Sequence, residues 1–156
     1  MIAHTPRMVS HEAFGSDTAA IVANVPDPAS TAAPTVADAA VAVAGLEALS
    51  DELRGCAILG PGGEALAATG DLATWDGAAR GLLEAADRAA GEPIAHAHVG
   101  TEEGEVFAVR QGQFAIVAAV ERFALAGLML FDMRAVLRDL IREAAAPAPK
   151  PRARAA

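Results

Sequence analysis

His96 and His98 are the side chains in this 156-residue chain best spaced for metal chemistry. Alternate residues of a strand point to one face, so both rings can reach a single ion. A structural zinc site takes four protein ligands, and no third ligand lies near the pair. Cys56, the only cysteine, stands in a separate apolar run whose facing the sequence leaves open. No metal is expected. The plainer expectation is a pair of half-buried or interface histidines, which would make an interface depend on pH between about 5 and 7.

The remaining chemical candidates are thinner. Gly60-Pro61-Gly62-Gly63 has the look of a phosphate-binding loop. A P-loop needs Gly-Lys-Ser/Thr to reach phosphate and Mg²⁺, and the only lysine is Lys150, near the end of the chain. The segment reads as a hairpin turn. There is no tyrosine, and Ser50 is the only serine between 37 and 144. Cys56 sits among apolar residues, where a thiol usually packs. Glu102, Glu103 and Glu105 read as a solvated hairpin tip, and Asp132 as a cap or an interface contact. Nothing assembles a nucleophile, a base and an orienting group. Neither an enzyme nor a cofactor is expected.

Charge narrows the partners. The chain carries −8; residues 37–144 hold 8 basic and 17 acidic side chains, and the last twelve residues carry +3 from Lys150, Arg152 and Arg154. An acidic body is a poor match for a phosphate backbone, so no nucleic acid is expected. Three tail charges without an apolar anchor give a membrane surface only a weak, salt-sensitive hold. The longest apolar run, Phe123 to Phe131, is nine residues, against about 20 for a bilayer. No secretory signal is visible. With one cysteine and no possible internal disulfide, a reducing cytoplasmic setting is expected.

The elements that must position these residues follow from periodicity. Residues 1–36 are broken by Pro6, Pro26, Pro28 and Pro34 and read as a poorly ordered arm, with Ala20 to Val25 as one short candidate strand. Residues 146–156 read as a Pro/Ala-rich basic tail. Between them, 37–145 is regular. Asp38 can cap a helix running to about Leu53, with Leu46, Leu49 and Leu53 at helical spacing and Gly55 as its stop. A hairpin follows, Cys56–Leu59 and Ala65–Thr69 around the glycine-rich turn. A second helix runs from Asp71 or Thr74 to Gly91, with Leu72, Trp75, Ala79, Leu82, Leu83, Ala86 and Ala90 on one face. Three strands, Ile94–Val99, Glu105–Arg110 and Phe114–Glu121, precede a last helix from Leu125 to Ala145. Leu125, Leu128, Met129, Met133, Val136, Leu137, Leu140 and Ile141 are its expected buried side. Several strands are continuous apolar runs, as strands covered on both faces are. The expected fold is α/β of the α+β type: a five-stranded antiparallel sheet between helices, in the order α-β-β-α-β-β-β-α.

The second helix defies propensity. Gly77 and Gly81 lie in its interior, each costing about 0.8–1.0 kcal/mol relative to alanine. With Ala85 and Ala89 they recur every four residues. This small-residue seam lies about 130° from the core stripe at 100° per residue. Asp76, Arg80, Glu84 and Asp87 take the remaining arc. A seam of this kind lets another backbone approach closely, and the candidate occupant is the same helix of a second subunit. The alternative is that the glycines relieve crowding against the chain's own core.

The run from about Leu46 to Ile141 resembles the roadblock/LC7 family. The likeness rests on the hairpin CAILGPGGEALAATG, the Ala-rich central helix, the three-strand meander and the closing amphipathic helix. Profilin-like and longin folds share much of this layout. The resemblance implies a homodimer in which central helices pair across a two-fold axis and the adjacent strands join two sheets. It also implies a regulator or scaffold of small Ras-like GTPases, or a motor-complex light chain, with no catalytic residues to carry over. Expected interface residues are Gly77, Gly81, Ala85, Ala89, His96 and His98. The rival reading is a small-molecule sensor of profilin-like fold, which would need polar residues facing a pocket.

Overall fold

A computed structural model describes residues 32–147. The candidate strand at 20–25 and the three basic tail residues lie outside the described residues. Helix α1 spans Val36–Leu49 and opens on a reciprocal cap. The Thr35 hydroxyl accepts from Asp38 N–H at 3.2 Å, and the Asp38 carboxylate accepts from Thr35 N–H at 2.9 Å. Thr35, not Asp38, is therefore the N-cap, and Asp38 is the acid three residues on. The helix also ends earlier than its leucine spacing predicts. Ser50 caps it in extended conformation, and Leu53 already begins a strand.

Strand β1 spans Leu53–Leu59 and β2 Ala65–Ala68. Helix α2 (Leu72–Ala90) leads to β3 (His96–Gly100), β4 (Glu105–Gln111) and β5 (Phe114–Val120), and α3 spans Ala126–Ala145. The expected element order holds throughout. The sheet runs β2-β1-β5-β4-β3 with every pair antiparallel. Gly55, expected to stop a helix, lies instead inside β1. A Cβ there would sit 2.9 Å from Cζ2 of Trp75. Its lack of a side chain admits the indole of α2 against the strand.

Two apolar layers flank the sheet. Cys56, Ile58, Phe107, Val109, Ile116 and Val120 pack with Leu46 of α1 and Met133 and Leu137 of α3. On the opposite face Leu59, Ala108, Ala115 and Val117 meet Ala79 and Leu83 of α2. The central strands β1 and β5 are buried nearly end to end, as their unbroken apolar runs predict.

Three sequence expectations fail at the margins. Leu125 and Leu128, expected in the core, are 70% and 56% exposed, and Leu72 of α2 is 43% exposed. They have the right residue type but sit on the rim of their helix stripes, where the neighbouring layer ends. Among the described residues no helix is long and apolar enough to cross a membrane.

Candidate functional site

Helix α2 is fixed along one flank by polar contacts. Asp71 caps its start, accepting from Ala73 N–H at 3.1 Å. Asp76 accepts from Ala65 N–H at 2.9 Å, tying the helix to β2. Trp75 donates from Nε1 to the Thr69 carbonyl at 3.1 Å. At the far end Asp87 takes both Arg110 nitrogens at 3.0 Å and the Ile94 N–H at 2.9 Å. The Arg110 guanidinium and the Ile94 amide hold the Asp87 carboxyl below its usual range. Gly91, at φ +77°, closes the helix by donating to the Asp87 carbonyl.

The other flank is bare. Gly77, Gly81, Ala85 and Ala89 are all exposed. Apart from the backbone of its own helix, no atom of the described residues lies within 4 Å of where a Cβ would stand on Gly77 or Gly81. The glycines therefore do not relieve crowding against this chain's own core. Beside the seam, Trp75, Ala78, Ala79 and Leu82 of α2 form one wall of an apolar groove of about 240 Å³. Val106, Val117 and Ala119 of the sheet form the other. The groove exists because α2 lies over β1 and β2 and leaves the same face of β4 and β3 partly uncovered. Beyond it β3, hydrogen-bonded only to β4 among the described residues, ends the described sheet.

The two histidines stand elsewhere. In the β3–β4 register His96 faces Val109 and His98 faces Phe107, both members of the layer under α1 and α3. The seam and the histidines thus lie on opposite faces of the sheet, sharing only the β3 edge. The sequence-expected set of six is therefore not one contiguous patch. His98 stacks on Phe107 with ring centroids 4.3 Å apart, and its Nε2 lies 3.0 Å from a Glu105 oxygen. Among the described residues no group of three or more His, Cys, Asp or Glu is placed to hold a metal. Cys56 is buried in β1, with β5 and β4 between it and β3, and burial pushes its thiol up to about 11. The thiol packs among the apolar side chains of that layer and lies 3.8 Å from the Thr69 hydroxyl.

Gly60–Gly63 forms a plain hairpin turn, with Gly63 N–H donating to the Gly60 carbonyl at 3.0 Å and φ +79° at Gly63. Glu102 and Glu103 are exposed at the next tip, as expected, but Glu105 is not a solvated acid. Its second oxygen accepts the Phe123 N–H at 3.3 Å while the first meets His98. The groove wall and this carboxylate bridge were not visible in the sequence. Both depend on which strands become neighbours, and no local pattern encodes that.

No family model matches the chain, and no curated protein matches it by sequence. Solved structures do match in shape. A roadblock/LC7 domain from Streptomyces avermitilis aligns with TM-score 0.58 and 14% identity, covering 67% of this chain and 95% of that one. The gliding protein MglB of Thermus thermophilus aligns with TM-score 0.56 and 18% identity, covering 74% and 96%. LokiProfilin1, solved in complex with rabbit actin, aligns with TM-score 0.51 and 18% identity, covering 70% and 98%. The chain has the roadblock/LC7 fold. At these identities the likeness concerns architecture, and architecture alone does not carry a partner across.

Proposed function

We propose that this chain is a non-enzymatic, homodimeric interaction module of the cytoplasm that regulates or scaffolds a small Ras-like GTPase. The observation that carries the dimer is the α2 seam: two interior glycines with open space at each, beside an apolar groove and a strand that is last in the sheet among the described residues. Left to water, the glycines only destabilise the helix. Against a second α2 they permit close backbone approach, and dispersion contacts offset the propensity cost. An isologous pairing would set seam on seam, cover the groove and bring two β3 edges together. An unpaired edge strand is a liability that pairing removes. The GTPase part of the proposal rests on the resemblance to roadblock/LC7 regulators.

The groove's lining offers no free polar side chain to orient a small molecule, because the indole N–H of Trp75 is spent on Thr69. Pockets for metabolites use a few placed polar groups, so this groove is a poor match for a small-molecule sensor.

Light scattering of the full chain should give a dimer mass at low micromolar concentration. Gly81→Leu should shift it to a monomer with an unchanged circular-dichroism spectrum, because position 81 is exposed and a Cβ there points into open space. A wild-type monomer, or a Gly81→Leu dimer of undiminished affinity, would sink the seam interface. Calorimetric titration against Ras-like GTPases, in GDP and GTP-analogue forms, tests the partner separately. Silence in both forms would remove the second half of the proposal.

A further inference from the structure

His96 and His98 are both exposed on one face of β3, the last strand of the described sheet. Two imidazoles are too few to hold an ion, since zinc takes three or four protein ligands. A second copy doubles the count, and the backbone of β3 dictates how.

The hydrogen bonds that flank β3 run inward. Arg110 N–H donates to the Ala95 carbonyl and Thr101 N–H to the Gly104 carbonyl, each at 2.8 Å. Bonding direction alternates along an antiparallel strand, so Ala97 and Val99 also turn their peptide groups toward β4. The N–H and C=O groups directed away from β4 therefore belong to His96, His98 and Gly100. An antiparallel pairing of two β3 edges would use the backbone of the histidines themselves. It would set these residues opposite one another and never opposite Ala97 or Val99.

A two-fold axis normal to the sheet keeps each face on its own side. All four imidazoles then stand on the face opposite α2, clear of the seam. Pairing over the whole strand, His96–Gly100, is centred on His98. Directly opposed residues have Cβ atoms about 4.5–5.5 Å apart, and diagonal ones about 7–8 Å. The two His98 rings would lie side by side with a His96 ring diagonal to each, a spacing that one ion can bridge.

The ring of His98 is already oriented. It stacks on the fully buried Phe107, and its Nε2 lies 3.0 Å from Glu105. An ionised carboxylate only accepts, so Nε2 donates, and in the neutral ring Nδ1 keeps its lone pair for a ligand. Metal-ligating histidines commonly give their other N–H to a carboxylate in this manner. Glu105 is itself held, since its second oxygen accepts the Phe123 N–H at 3.3 Å. Imidazole nitrogens select zinc over magnesium or calcium, which take oxygen ligands.

We infer that paired β3 edges form a zinc site shared by two copies of the chain, with His96 and His98 of each as ligands and Glu105 positioning His98. The inference rests on the dimer reading above, and the second copy supplies the ligands that one chain lacks.

The test is sedimentation of the full chain, cleared of metal with EDTA, with and without added Zn²⁺, alongside calorimetric titration of Zn²⁺. One zinc should bind per two chains and tighten the dimer by about tenfold or more through linkage. His96→Gln and His98→Gln fall on exposed side chains. Each should abolish the zinc effect while leaving the melting temperature and the metal-free dimer unchanged. Glu105→Gln should weaken zinc binding by about 10–100-fold at the same stoichiometry. A dimer indifferent to zinc, one zinc per chain, or zinc binding that survives His96→Gln/His98→Gln would overturn the site and leave the dimer standing. A chain that is monomeric with and without zinc would overturn both.

Discussion

Gly77 and Gly81 are the residues on which the functional reading turns, and a single methyl group separates its two halves. Gly77 has ordinary helical geometry, with nothing within 4 Å of a Cβ. In the isolated chain Gly77→Ala should therefore raise stability by about 1 kcal/mol, the full helix-propensity gain. The measurement is a urea midpoint taken at a concentration below the dimer's dissociation constant. In the proposed dimer the same methyl would enter the space between the two backbones, so sedimentation should show weaker association. A residue that stabilises its own chain when replaced, yet loosens the assembly, has a use outside that chain. Glu105 makes a different point at this scale. Its spacing in the sequence reads as part of an acidic turn, yet one carboxylate spans the sheet edge and the α3 lead-in.

At the scale of elements, the rotation of α2 about its own axis decides which side chains reach solvent. The ion pair between Asp87 and Arg110, with the Ile94 amide, is the anchor at its C-terminal end. Because the Asp87 carboxyl is held below its usual range, it contributes stability that is complete above about pH 4, the ordinary aspartate value. That contribution is lost as pH falls through the depressed folded value. Hydrogen exchange should show the last turn of α2 and the start of β3 loosening first on acidification, and Asp87→Asn should remove this pH dependence. Loss of protection spread evenly over the sheet would count against it. Much of this level was legible in the sequence. Asp71, Gly91 and the alternation of helical and continuous apolar patterns located α2 and the strands within a few residues. The failures have physical causes. Thr35 and Asp38 form a reciprocal pair, and either reads alone as the cap. Gly55 signals a stop in one dimension and a close indole contact in three. Leu125 and Leu128 satisfy the helical period, but the period cannot report where the opposing layer ends.

The whole molecule is a sheet between unequal layers. The α1/α3 side buries Phe107, Met133 and Leu137, while the α2 side is a smaller layer in which Leu59, Leu83 and Val117 pack among three buried alanines. Stability should therefore reside on the first face. Met133→Ala, at a fully buried position, should cost about 2–5 kcal/mol in denaturant unfolding. A loss under 1 kcal/mol would mean that this layer is not the main core. The thin layer under α2 is consistent with the proposed dimer, in which a second chain would share in covering that face.

The position of β5 has a consequence for how the molecule comes into being. It is the last strand in the chain but lies in the middle of the sheet, between β1 and β4. The β1–β2 and β3–β4 hairpins can each form from near neighbours, yet they share no hydrogen bond until Phe114–Val120 joins them. During synthesis the growing chain therefore carries two half-sheets with open edges. Insertion of β5 unites them in one late step, dependent on long-range contacts. A ribosome that stalls before Phe114 would release a product with the β1–β2 and β3–β4 hairpins encoded, no strand to join them and two edges free to find the wrong partner.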